Sequence, residues 1–189
     1  MRKKIGLLLI ICGLLFILKP LAEHGYNYYC QLQLKNELKQ REDVRAVKQS
    51  DQSELPIEPP FVLEIPSISV EAVVIEGVGK KELRRGPGWD PRGVYPGEQG
   101  NVIIAAHNNV YGSGFKELHS LKSGDMVFIS EGKSSKHKLA YCVESIETIH
   151  ESDDITIFDP TTERILTLIT CAPPSGSGKR VIATAKQKE

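Results

Sequence analysis

The sequence predicts an all-β domain, a barrel or a sandwich, set behind an apolar N-terminal segment. Three observations predict it. From Phe61 onward about seven short runs rich in apolar and β-branched residues recur, most of them bounded by glycine or proline. Between these runs only short stretches carry helical spacing. The one long unbroken apolar run, Ile5 to Leu18, stands apart at the N-terminus behind Arg2, Lys3 and Lys4.

That N-terminal run reads as a membrane anchor. It is shorter than the roughly 20 residues a spanning helix needs. Lys19 can snorkel, however, and so extend the span to about Ala22. No clear small-x-small cleavage site follows, so residues 1–22 are expected to stay as a single-pass transmembrane signal anchor rather than to be removed as a cleaved signal peptide. The basic flank then lies in the cytoplasm and the rest of the chain outside the cell. Residues 23–60 read as a polar stalk and linker. Tyr26, Tyr28 and Tyr29 suit a membrane interface, and Leu32, Leu34 and Leu38 suggest a loosely amphipathic helix. Lys48 to Pro60 is polar and proline-punctuated, as linkers are.

Residues 61–189 form the expected domain. Phe61–Ile65 and Val70–Ile75 read as strands around a turn at Pro66. Lys80–Arg85 has room for one helical turn before Gly86. Gly86–Gly100 carries glycine and proline throughout and reads as loop. Asn101–Ala106 reads as a buried strand ending at His107. Phe115, Leu118 and Leu121 have helical spacing, and Asp125–Ser130 and Lys136–Ile149 resume strands. Glu151–Glu163 reads as an acidic loop with an apolar break at Ile155–Phe158. Arg164–Cys171 and Val181–Ala185 close the series. The formal net charge of +0 and the aromatic share of 6% leave no electrostatic or stacking basis for nucleic-acid binding.

Chemistry gathers at two strand ends. Cys171 ends an apolar strand, a Pro/Gly/Ser loop follows, and Arg180 opens the next strand. A free thiol is only a few per cent thiolate at neutral pH, and a nearby cation raises that fraction. An arginine also donates several hydrogen bonds to a developing oxyanion. His107 repeats the pattern on another strand. If the strands are neighbours, thiol nucleophile, imidazole acid/base and guanidinium form an acyl-transfer site. His24, His119, His137 and His150 lie in settings that read as solvated. Cys12 and Cys30 fall in or near the apolar run and Cys142 in a strand, so no disulfide framework is expected. No Cys-x-x-Cys or His-x-x-x-His spacing points to a metal.

These residues resemble the sortases, membrane-anchored cysteine transpeptidases of Gram-positive cell surfaces. The resemblance runs from about Phe61 onward. It rests on LEIPSISVEAVVIEG (Leu63 to Gly77), PGEQGNVIIAAHN (Pro96 to Asn108), FKELHSLKSGD (Phe115 to Asp125) and TLITC (Thr167 to Cys171), with Arg180 nine residues after the cysteine. It implies an eight-stranded β-barrel with short helices, one strand more than the residues themselves show. His107, Cys171 and Arg180 match the family's catalytic positions. Thr170, Asn108 and Ala172, their chain neighbours, become the substrate-binding candidates. The implied activity cuts a Leu-Pro-x-Thr-Gly-like signal on surface proteins after Thr. The acyl group then passes to an amine on a cell-wall precursor or a pilin. Asn108 stands where several classes have arginine, and a class D or E assignment is preferred. Some sortases bind Ca²⁺ near the loop before the nucleophile strand. Here that loop carries Glu151, Asp153, Asp154 and Asp159, read as a solvated acidic loop with no cofactor.

Two other readings compete. One is another exported cysteine acyltransferase such as an L,D-transpeptidase, whose compact Ser-x-Gly-Cys region this chain lacks. The other is a membrane-tethered β-barrel binding module in which Cys171 is inert.

Overall fold

The structure, a computed structural model, describes residues 2–47, 56–108, 114–133, 135–153, 156–174 and 176–188. Eight strands close a barrel in the order β1-β2-β3-β4-β7-β8-β6-β5, with β5 returning to β1. They are β1 Phe61–Ile65, β2 Val70–Glu76, β3 Gly88–Trp89, β4 Gly100–Ala105, β5 Met126–Ser130, β6 Lys138–His150, β7 Arg164–Cys171 and β8 Lys179–Gln187. Alternate side chains of these strands fill the barrel, among them Leu63, Ile65, Ile104, Ile129, Leu166 and Leu168, none measurably exposed.

The strand that the residue pattern misses is β3. It lies inside the Gly86–Gly100 segment read as loop, pairing parallel with β2 and antiparallel with β4. Two residues cannot show alternation, so no periodicity betrays it. Its glycine is required by close approach: a Cβ at Gly88 would run into the carbonyl oxygen of Gly77. Elsewhere the expected helical pieces are single turns, α2 Lys80–Leu83 and the 3₁₀ turn Leu118–Ser120, and the apolar break in the acidic loop adds a further 3₁₀ turn, Thr156–Phe158.

The N-terminal part differs more. Anchor and amphipathic stretch, read as separate pieces, are one continuous helix, α1, of 46 residues from Arg2 to Val47. Its second half lies along the barrel. The Gln31 amide donates to the carbonyl of Val73 at 3.1 Å, and its oxygen accepts the Val73 N–H at 2.8 Å. Gln31 thereby satisfies both backbone groups of a β2 residue that lies beyond the reach of the two-residue β3. Leu34 and Leu38 bury against Val62, Val73 and Ile75, and Lys35 pairs with Glu71 at 3.0 Å. Ile57, four residues before β1, already belongs to the barrel core. Residues 48–55 of the expected linker lie outside the described residues. So do most side chains of the apolar run Ile5–Leu18. Among the described residues no helix is long and apolar enough to cross a membrane.

Candidate active site

The site is built on three neighbouring strands, β4, β7 and β8. β4 and β7 run parallel, with Ala105 opposite Ile169. The ladder continues one step past β4, because Ala106 N–H donates to Ile169 O at 3.1 Å. That register sets His107 across from Cys171. On the other flank β7 and β8 are antiparallel, and Cys171 faces Arg180 directly. Val102, Ile104 and Ala106, Leu166 and Leu168, and Val181, Ala183 and Ala185 point into the core. The alternating residues His107, Cys171 and Arg180 therefore share the outer side of one barrel end.

Sulfur and guanidinium are in direct contact. Arg180 Nη1 donates to Cys171 Sγ at 2.9 Å. Its Nη2 donates to Glu151 Oε1 at 2.6 Å. Glu151 stands just past the end of β6, and its N–H bonds Gly178 O at 2.8 Å, tying its loop to the one before Arg180. An ion pair with so exposed a carboxylate adds little stability; its effect is to hold one edge of the guanidinium fork so that the other meets the sulfur. Residue order had marked Glu151 only as part of an acidic loop. Its position next to a strand end, opposite a strand that opens with arginine, is the signal that could have found it.

His107 is half-buried, and burial alone lowers its pKa below the ordinary 6.5, since desolvation penalises the imidazolium. The sign for folding follows. Between the lowered value and 6.5 the unfolded chain binds more protons than the folded one, so stability rises with pH through that window and falls on acidification. Two results are expected: the His107 ring titrates with a midpoint below 6.5 by NMR, and thermal stability drops as pH falls through the same window. A His107→Asn chain should lose that part of the slope. A midpoint at or above 6.5 would show that burial does not govern the ring.

The three substrate-binding candidates are all buried beneath this rim. Thr170 donates its hydroxyl to Ala106 O at 2.7 Å, stitching β7 to the His107 segment. Asn108 donates to the carbonyl of Cys171 at 2.5 Å. Ala172 is 3% exposed and its N–H bonds Lys179 O at 2.9 Å, which holds the mouth of the β7–β8 hairpin. Thr170 and Asn108 thus brace the imidazole-bearing and thiol-bearing strands against each other, while Ala172 braces β7 against β8. The four cysteines, Cys12, Cys30, Cys142 and Cys171, are free. Asp154 of the acidic loop lies outside the described residues. Among those described, no group of three His, Cys, Asp or Glu side chains is arranged to hold a metal ion.

A thiol held by a guanidinium, with an imidazole-bearing strand beside it, has the equipment of a cysteine acyl-transfer centre. Known proteins agree. A family model described as Sortase domain matches residues 63–188. Sortase A of Listeria monocytogenes is 23% identical over 98% of this chain and 91% of its own length. Sortase D of Bacillus subtilis is 30% identical over 67% of this chain and 62% of its own length. Sortase E of Streptomyces avermitilis, a solved structure, superposes with a TM-score of 0.60 at 27% identity, covering 71% of this chain and 91% of that one. The chain belongs to the sortase family, whose members are transpeptidases.

Proposed function

We propose that this chain is a membrane-anchored cysteine transpeptidase of the Gram-positive cell surface. It cuts a Leu-Pro-x-Thr-Gly-like signal after Thr and transfers the acyl group through Cys171 to an amine on a cell-wall precursor or a pilin. The 2.9 Å contact between Arg180 Nη1 and Cys171 Sγ carries the reading, with His107 at the adjoining register position. The Cys171 thiolate attacks the Thr carbonyl carbon, a C–S bond forms, and Arg180 receives the oxyanion. The C–N bond breaks as imidazolium at His107 gives its proton to the departing amine, leaving a thioester. Neutral His107 then takes a proton from the incoming amine. The new C–N bond forms, the C–S bond breaks, and thiolate and imidazolium are restored. Burial lowers the pKa of His107, so its imidazolium is the stronger proton donor while the neutral ring, the form that accepts the incoming amine's proton, predominates at neutral pH. Residues 1–22 would span the membrane, three cations inside, and hold the barrel at its outer face.

The test is direct. The full chain is incubated with a small library of Leu-Pro-x-Thr-x peptides and an amine, and products are read by mass spectrometry. Cleavage after Thr with amine-dependent ligation is expected. No cleavage of any member would reject the reading.

A further inference from the structure

α1 carries two stripes of side chains. Asn27, Gln31, Leu34 and Leu38 are buried or bonded against the barrel. One position along, His24, Tyr28 and Leu32 recur every four residues and line a cavity of about 590 Å³ between helix and barrel. The barrel supplies the other wall, from Ser69 past Pro87, and the cavity ends on Ala106 and His107. Lys116 and Glu117 stand on the same rim. Cys171 and Arg180 do not line it. The groove therefore reaches the catalytic row from the imidazole side alone. Tyr28 is 68% exposed and Leu32 42%, so apolar surface is left open along it.

We infer that this groove binds the amine acceptor, a peptide bearing a primary amine, and that α1 forms one of its walls. The inference rests on the transpeptidase reading. In that reading the acceptor amine must surrender its proton to His107, where the groove ends. The acyl side of the sorting signal must instead reach Cys171 and Arg180, which the groove does not touch, and the donor's departing amine has left before the acceptor enters. The lining suits a peptide: Tyr28 and Leu32 offer apolar contact and Ser69 and His24 offer hydrogen bonds, while its charges, Lys35 with Glu71 and Lys116 with Glu117, are paired with one another. The volume lies in the range of sites that enclose a ligand.

The experiment uses the full chain and an intact Leu-Pro-x-Thr-x donor that the wild type cleaves, with two nucleophiles. Hydroxylamine is too small to need the groove, and a pentapeptide ending in a primary amine is large enough to fill it. Tyr28→Ala combined with Leu32→Ser should raise the KM for the pentapeptide about tenfold. Donor KM and trapping by hydroxylamine should stay as in the wild type, which also shows that the variant is folded. Tyr28→Phe should retain the wild-type acceptor KM. An unchanged acceptor KM in the double variant overturns the assignment, and a raised donor KM instead would give the groove to the sorting signal. A wild-type chain that cleaves no donor removes the transpeptidase reading, and this inference falls with it.

Discussion

Cys171→Ala will lose cleavage of a sorting-signal peptide by more than about 10⁴-fold, because no other group on the rim can form the thioester. The substitution removes one sulfur from a half-buried site and leaves the β7–β8 ladder intact, so the barrel should keep its wild-type thermal transition. Mass spectrometry supplies a second readout. The wild-type chain, mixed with donor and quenched in acid, should carry the acyl group as an added mass on Cys171, and the alanine variant should not. Turnover retained in the variant would remove Cys171 from the chemistry.

Arg180→Lys will lower kcat by about 10²–10³-fold, the size expected when one preorganised oxyanion donor is lost. Charge is kept in this variant, so the loss isolates geometry. The guanidinium spans two partners at once, Cys171 Sγ at 2.9 Å and Glu151 Oε1 at 2.6 Å. A single ammonium has no planar fork with which to hold both. Donor KM should change far less than kcat, since the bond to the oxyanion exists only after attack. Wild-type kcat in the lysine variant would take Arg180 out of the mechanism.

Much of this was legible in residue order because it is local. β1, β2, β4, β5, β6, β7 and β8 each show an apolar run or alternation closed by turn residues, and each lies within a few residues of its expected place. Cys171, Arg180 and His107 were visible because a polar, reactive side chain at the tip of an apolar strand breaks the pattern around it. β3 was illegible because two residues carry no period. Glu151 was illegible as a site residue because its partner stands 29 positions away. Thr170, Asn108 and Ala172 were seen as neighbours of the chemistry. That they are buried braces follows from hydrogen bonds to Ala106, Cys171 and Lys179.

The sequence alone determined every strand run but β3 and pointed to the family and to His107, Cys171 and Arg180 as candidates, since periodicity and strand-tip chemistry are written within a few consecutive residues. Only the tertiary structure decided that β4 lies beside β7, which sets an imidazole and a thiol in one register row. It alone showed that α1 runs unbroken and docks through Gln31 onto the backbone N–H and C=O of Val73. The physical reason is the same in both cases. Strand neighbours and helix docking are chosen by which distant backbone groups and apolar faces must be covered together, and no stretch of chain states its distant partner.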